Sequence, residues 1–491
     1  MQYILALDQG TSSSRSILFD RHGQLVHSAQ TEFTQHFPQA AWVEHDPLEI
    51  WHSQKHTIEQ VLRESHISPK DIVALGITNQ RETCIVWNRK TGEPIYPAIV
   101  WQDRRTAEYC QSLREQGHSD SIRQTTGLVI DPYFSASKLR WILDYVPDAR
   151  QQADRGELAF GTVDTWLAYQ LSDKQLHVSD VSNASRTMLW NIHRNCWDTE
   201  LLALFDIPES VLPTVHPSSF IFGHCTLFGP SIPIASMVGD QQAALFGQAC
   251  FEPGMAKNTY GTGCFMLAHT GSSCPTSQHG LISTAAAQLD PTPQYALEGS
   301  VFIGGAVVQW LRDNLHIIHK SSEVEALAAS VPDSDGVIFV PAFAGLGAPY
   351  WQADAKAAIF GLHRGSTHAH IARAAVEAIA FQSAELLLAM QNDYQHTIHE
   401  LRVDGGAASN NFLLQFQADL LGIPIIRPRI TETTALGAAY LAGLSTDFFS
   451  TPQECQALWQ EERRFLPQMS REQAQKRIAS WQNAIQSLRS Y

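Results

Sequence analysis

A chain of 491 residues exceeds what one hydrophobic core organises, so two large domains or three smaller ones are expected. Its 44% hydrophobic and 17% charged residues are an ordinary globular mixture, and a formal net charge of −15 disfavours a nucleic-acid partner, which needs clustered Lys and Arg. The eight cysteines are scattered without a C-x-x-C pair, which fits free thiols in a reducing compartment better than a disulfide frame or a zinc site. The apolar run at residues 3–7 is too short for a signal peptide and lacks a basic leader, and no apolar segment approaches membrane-spanning length. A cytoplasmic protein with no membrane insertion is the expectation.

Residues 3–7 read as a buried strand and residues 16–19 as a second, so Asp8-Gln-Gly-Thr-Ser-Ser-Ser-Arg15 between them reads as a tight hairpin loop. Its Gly and hydroxyl residues expose backbone N–H groups that can cradle a phosphate, Arg15 adds positive charge, and Asp8 at the strand end could hold Mg²⁺ through water. A plain hairpin turn accounts for the same residues. Residues 46–64 have helical spacing behind an Asp46-Pro47 start. His52 and His56 are one helical turn apart with no acidic or Cys partner nearby, and read as a solvated face. Residues 71–78 and 83–87 are strands, and Asn79-Gln-Arg-Glu82 between them is either an exposed turn with a weak ion pair or a clamp for hydroxyl groups, Arg81 donating and Glu82 accepting. Trp101 opens the next helix and Tyr133 precedes a helix at 137–145; such aromatics are more often core than ligand contacts.

Residues 162–171 and 183–191 carry cap and turn residues, Asp164 and Asn183, with no readable chemistry, and residues 216–233 look irregular. Apolar residues 232–238 then run into Gly239-Asp-Gln-Gln-Ala-Ala-Leu-Phe-Gly247. Asp240 at this strand-to-helix junction is a good helix N-cap. It can also be read as a general base, kept ionised by the helix dipole, with Gln241 in the same cleft. A domain boundary is expected at residues 250–254. The second half repeats the pattern of strand, Gly-Thr turn and strand at 255–265, a faint echo of the first hairpin. The Gly304-Gly305 pair starts a helix, Ser366 and Thr367 cap a long helix through 390, and Val403-Asp-Gly-Gly-Ala407 is a strand end and glycine turn before a helix, where nucleotides dock in α/β proteins. A small-residue helix at 434–443 and a polar helical tail from 452 complete the chain.

The strings Leu7-Asp-Gln-Gly-Thr11, Gly76-Ile-Thr-Asn-Gln-Arg-Glu-Thr83, Ile99-Val-Trp-Gln-Asp-Arg-Arg105, Gly127-Leu-Val-Ile-Asp-Pro-Tyr-Phe134, Gly161-Thr-Val-Asp-Thr-Trp166, Gly239-Asp-Gln-Gln-Ala-Ala-Leu-Phe-Gly247, Asn258-Thr-Tyr-Gly-Thr-Gly-Cys-Phe-Met266 and Val403-Asp-Gly-Gly-Ala407 stand in one order from about residue 3 to 444. Together they resemble the FGGY-type carbohydrate kinases, and the strings around Arg81 and Asp240 resemble the glycerol-phosphorylating branch. The resemblance implies an α/β, actin-like ATPase (ribonuclease H-like) fold with a central cleft. Its two domains would be residues 1–250, holding the polyol and the first phosphate loop, and residues 251–491, holding the nucleotide and ending in a helical tail. It implies ATP and Mg²⁺ as cofactors, glycerol as acceptor and ADP as product, with a homo-oligomer, dimer or tetramer, as the assembly. By position, Asp240 would be the base; Arg81, Glu82, Tyr133 and Gln241 would hold hydroxyls, and Trp101 and Phe265 would pack on the carbon chain. Thr11, Ser12, Ser13, Arg15 and Thr262 would face the phosphates, Gly305, Gln309, Gly406 and Asn410 the rest of the nucleotide, and Asp8 with Asp240 the metal. A kinase for another polyol or sugar, and a non-catalytic actin-like switch, are the alternatives. A switch would not need Arg81, Glu82 and Asp240 together. Relatives of this type that respond to fructose 1,6-bisphosphate grip it with a loop rich in Gly, Lys and Arg. The corresponding residues 222–233 contain no Lys or Arg and two prolines, so no response is expected here.

Overall fold

The computed structural model describes residues 1–352, 355–394 and 396–489. Two mixed sheets organise the chain. The first contains β1 (Tyr3–Gln9), β2 (Ser13–Phe19), β3 (Leu25–Glu32), β4 (Ile72–Asn79), β5 (Ser219–Cys225) and β6 (Ile232–Gly239), in the order β5-β6-β4-β1-β2-β3. β1, β4 and β6 are parallel, and the others join antiparallel. Parallel neighbours need a crossover, and α1 (Pro47–Ser65) supplies the one before β4, its start capped by the Asp46 side chain. Alternate side chains of β1 serve opposite faces: Leu5 and Leu7 pack with Ile50 and Ile58 of α1, while Ile4 and Ala6 join a cluster with Ala435, Ala438 and Leu441.

The second sheet contains β7 (Ala256–Tyr260), β8 (Cys264–Gly271), β9 (Ile282–Ala285), β10 (Tyr295–Val301), β11 (Leu401–Asp404), β12 (Ile425–Pro428) and β13 (Glu461–Phe465), in the order β9-β10-β8-β7-β11-β12-β13. β7 and β8 form a hairpin and β7 runs parallel to β11, as β1 and β2 form a hairpin and β1 runs parallel to β4. The repeated hairpin of the sequence is thus a repeated sheet.

Two helices tie the sheets together. α2 (Asp240–Gly247) follows β6, and α6 (Thr433–Ser445) follows β12, with α3 (Ala306–Asp313), α4 (His368–Asp393) and α5 (Asn411–Leu421) between them in the chain. α6 lies on the first sheet although it stands between β12 and β13 of the second in sequence, and Leu245 of α2 packs with Leu267 and Ala296 of the second. The two helices touch backbone to backbone: a Cβ on Gly437 would stand 1.9 Å from the carbonyl oxygen of Ala243, and one on Gly247 2.0 Å from that of Thr433.

Two stretches differ from expectation. Residues 216–233 are not irregular: β5 is an edge strand, and its register shift between Ser219 and Gly223 breaks the period-two signal. The polar tail is not all helix, because β13 precedes the last helix, α7 (Arg471–Arg489). Four of its five residues are exposed and charged, so this edge strand has no apolar alternation to read.

Candidate active site

Register sets the site. Gln9, Asn79 and Gly239 lie side by side at the C-terminal ends of β1, β4 and β6, so Asp8 ends its strand near the point where Arg81 and Asp240 emerge from theirs. In the second sheet Thr259 stands beside Asp404, which brings the turn at Gly261–Gly263 next to the glycine turn at 405–406. Both sheets therefore present strand C-termini to one cleft, the usual place for a ligand in α/β proteins.

Asp240 is the first residue of α2, and its side chain keeps 30% of its surface exposed. The cap is Gly239, not Asp240, because β6 continues through Gly239; the carboxylate accepts from the N–H of Gln241, 2.8 Å away, and from its side chain at 3.2 Å. Arg81 Nε lies 3.2 Å from Asp240 Oδ1. Burial pushes the Asp240 carboxyl up, and Arg81 and Lys257 pull it only part of the way back.

The Arg81–Glu82 clamp is more occupied than the sequence suggested. Arg81 gives Nη1 to Glu298 at 2.6 Å and to Gln242 at 3.1 Å, and Nη2 to Glu298 at 2.9 Å and, loosely, to Tyr133 Oη at 3.5 Å. Glu82 Oε1 accepts from Arg186 Nε at 2.5 Å, and Arg186 also reaches Glu298 at 3.0 Å. Burial raises the Glu298 carboxyl, but Arg186 and Arg81 outweigh it and draw it down to about 2. Oε2 of Glu82 has no hydrogen bond among the described residues, so one acceptor remains for a ligand. Glu82 also sits at φ 60°, a conformation that costs a non-glycine residue on the order of 1 kcal/mol and is typical of functional turns.

Trp101, Tyr133 and Phe265 come together as a box: the Trp101 ring centroid is 5.6 Å from that of Tyr133 and 6.2 Å from that of Phe265, both edge to face. Tyr133 is both the core residue its apolar surroundings suggested and a wall of the site. Trp101 Nε1 donates to Thr11 Oγ1 at 3.0 Å, which ties the box to the first hairpin.

That hairpin is tighter than expected, since β1 runs to Gln9 and β2 starts at Ser13. Thr11 and Ser12 are accessible in the turn, Ser13 is buried, and Asp8 and Arg15 are cross-strand neighbours. Asp8 and Arg15 line a cleft of about 460 Å³ with Thr259, Asp404, Arg427 and Glu432. Arg15 is held by Glu432 at 2.8 Å. Burial pushes the Asp8 carboxyl to about 7, Arg15 opposing, and Glu432 and Asp240 raise it further.

A second space of about 590 Å³ adjoins it, with Gly406 and Ser409 in both walls, and is lined by Thr262, Gly305, Gln309, Gly406 and Asn410. All five residues of the second half expected on the nucleotide side thus share one cavity. Gly405 needs its φ of 86°, and a Cβ there would meet Tyr260 O at 2.6 Å, while nothing lies within 4 Å of a Cβ on Gly406, which faces open space. The Gly304-Gly305 pair also has a structural purpose. The N–H groups of Gly304, Gly305 and Ala306 bond the carbonyls of Thr262 and Gly261, so the helix start locks the second hairpin turn.

Sequence reasoning missed Arg186, Lys257, Glu298, Asp404, Arg427 and Glu432. For Glu298 a signal existed: it is the one charge in a strand, Tyr295–Val301, whose every residue is buried. Lys257, also fully buried, donates to Gln241 Oε1 at 2.5 Å, Thr259 Oγ1 at 2.8 Å and the carbonyl of Phe265 at 3.3 Å. His52 and His56 are exposed on α1, and the described residues contain no group of three or more His, Cys, Asp or Glu able to hold a metal ion.

Residues 3–247 match the N-terminal domain, and residues 256–446 the C-terminal domain, of the FGGY family of carbohydrate kinases. Over 491 residues the chain is 62% identical to a glycerol kinase of Ralstonia pickettii (strain 12J), covering 100% of this chain and 99% of that one. The Plasmodium falciparum glycerol kinase crystallised with ADP superposes with a TM-score of 0.91 at 36% identity, covering 99% of this chain and 98% of that one. A ligand-bound xylulose kinase from Lactobacillus acidophilus shares the fold with a TM-score of 0.87 at 21% identity, over 98% and 96% of the two chains. The fold is the two-domain actin-like ATPase fold. Matched in both domains and along its whole length, the chain belongs to the FGGY family of carbohydrate kinases.

Proposed function

We propose that this enzyme transfers the γ-phosphoryl group of ATP to glycerol, giving sn-glycerol 3-phosphate and ADP. The observation that carries the reading is one partly exposed carboxylate, Asp240, linked through Arg81 (3.2 Å to Asp240, 3.5 Å to Tyr133) to an apolar wall in which the rings of Trp101, Tyr133 and Phe265 meet edge to face. Similarity to glycerol kinases at 62% identity supports the same acceptor.

Glycerol's carbons would pack on Trp101 and Phe265. Its hydroxyls would meet Glu82 Oε2, Tyr133, the loosely held Nη2 proton of Arg81, and the free N–H of the Gln241 amide. Asp240 takes the proton of the attacking hydroxyl as its oxygen bonds the γ-phosphorus and the bond to ADP breaks. A general base contributes about 10²–10⁴-fold, and positioning and charge neutralisation contribute most of the rest. The raised affinity of Asp240 for protons makes it a better acceptor than an exposed aspartate. ATP would lie with its nucleoside against Gly305, Gln309, Gly406 and Asn410, and its phosphates between the turns carrying Thr11, Ser12, Ser13 and Thr262, near Arg15.

Asp8 and Asp240 fit Mg²⁺: Glu432 and Asp240 both add negative charge around Asp8, and Arg15 is already paired. Two carboxylates with room for water and phosphate oxygens suit this small hard cation, which keeps part of its hydration. When bound, the ion neutralises charge on the phosphate oxygens. All eight cysteines are free thiols, and among the described residues no helix is long and apolar enough to cross a membrane, which supports a cytoplasmic setting.

A coupled assay of ADP release with glycerol, dihydroxyacetone, xylulose and no acceptor tests the reading. Glycerol-dependent release is expected. A preference for xylulose, or equal release without acceptor, overturns it.

A further inference from the structure

We infer that Lys257 is a positioning residue that aims the base, by fixing which end of the Gln241 amide faces Asp240. The inference rests on the reading above only in taking Asp240 as the base. Lys257 stands on β7, in the second sheet, with no exposed surface. It meets three acceptors, Gln241 Oε1 at 2.5 Å, Thr259 Oγ1 at 2.8 Å and Phe265 O at 3.3 Å. An ammonium group only donates, so the amide oxygen of Gln241 must face Lys257. The amide nitrogen is then turned to Asp240 Oδ2, which it reaches at 3.2 Å.

The consequence falls on the two carboxylate oxygens. Oδ1 is approached by Arg81 Nε at 3.2 Å and by the Gln241 backbone N–H at 2.8 Å, whereas among the described residues Oδ2 receives only the Gln241 side chain. Oδ2 is therefore the less committed oxygen, and the one left to receive the proton of the substrate hydroxyl. Without Lys257 the amide could turn over and set its oxygen against the carboxylate, which would repel the base from its place. The same ammonium holds Thr259, in the wall of the phosphate cleft, and the backbone of Phe265, in the aromatic box. A residue of the second sheet thus registers base, polyol box and phosphate turn against one another without touching the substrate.

The alternative is that Lys257 merely balances the buried charges of Asp404, Asp240 and Glu298. A double-mutant cycle of Lys257→Met and Gln241→Leu separates the two, read as kcat at saturating ATP and acceptor. Each single variant is expected to lose about tenfold or more in kcat, the scale of one oriented hydrogen bond to a charged group, with the KM for ATP little changed. The double variant is expected to be no slower than the slower single one. Losses that multiply, or a change in KM alone, overturn the inference. If circular dichroism shows Lys257→Met unfolded, Gln241→Glu is read instead: it still accepts from Lys257 but has no N–H for Asp240. A loss matching Gln241→Leu supports the inference, and wild-type turnover refutes it. Wild-type turnover on glycerol decides the proposed function, while these ratios, taken with whichever polyol the enzyme accepts, decide the role of Lys257.

Discussion

Glu298 takes both terminal nitrogens of Arg81, at 2.6 and 2.9 Å, across the junction of the two sheets. Arg186 adds a third contact at 3.0 Å, so one carboxylate of the second sheet bridges two guanidinium groups, whose remaining charge is met by Glu82 and Asp240. Glu298→Ala should therefore cost about 3–5 kcal/mol, the scale of leaving buried charges without their partner, as measured by urea denaturation. The pH dependence has a definite sign. Held at about 2 instead of its ordinary 4.5, the Glu298 carboxyl stabilises the fold fully above 4.5 and loses that contribution as pH falls toward 2. Melting temperatures of wild type and Glu298→Gln should converge over that interval; a constant gap would count against the assignment.

Asp240→Asn should fold normally, bind glycerol with near-unchanged affinity by calorimetry, and lose about 10²–10⁴-fold in turnover, the usual worth of a general base. No cap is lost in this variant, because Gly239 occupies the cap position. A near-normal kcat would remove Asp240 from the mechanism.

Asp8 holds its proton up to about pH 7, so in the folded protein its ionisation is resisted while in the unfolded chain it ionises near 3.8. Folding is penalised increasingly as pH rises from about 4 to 7, and fully above 7. Asp8→Asn should accordingly be inactive yet melt higher than wild type at pH 8, by roughly 2–4 °C if about 1 kcal/mol is relieved. The gap should close toward pH 4. Magnesium should raise the melting temperature of wild type and not of Asp8→Asn. A variant that melts lower than wild type at pH 8 would show that Asp8 is structural.

The turn at 10–12 and the turn at 261–263 belong to different sheets, and both must reach one triphosphate. Closure of the cleft on binding is expected, which also excludes water from the transfer. Small-angle scattering with glycerol and a non-hydrolysable ATP analogue should show a smaller radius of gyration than the free enzyme. Superimposable profiles would mean a site already assembled.

Fructose 1,6-bisphosphate should neither inhibit the enzyme nor change its oligomeric state through residues 222–233. These residues fall in the β5–β6 hairpin, which offers no Lys or Arg, and its prolines at 230 and 233 remove backbone donors. Inhibition curves at millimolar bisphosphate beside sedimentation runs are the check. Dose-dependent inhibition with a larger assembly would contradict the reading.

Much of the site was legible because its parts are local. A strand followed by Gly239 and Asp240, a Gly-Thr turn between two strands, and the Gly405-Gly406 turn are each written in adjacent residues, since turns and helix starts depend on backbone conformation over a few positions. The periodicity of residues 46–64 and the apolar run of 232–238 likewise placed α1 and β6. Even there a boundary moved by one residue, which made Gly239 the cap.

What the chain order could not show is how distant charges are paired. Arg81, Arg186, Lys257 and Glu298 each look unusual beside their apolar neighbours, but no local rule says that Arg81 belongs with Glu298, 217 positions away. The same holds for α6, which stands between two strands of the second sheet in sequence and packs on the first, and for the edge strands β5 and β13, whose partners supply the hydrogen bonds that define them. Turn chemistry is decided by neighbours along the chain. The partner of a buried charge, and so its proton affinity, is decided by which groups the finished fold brings within a few ångströms after removing them from water.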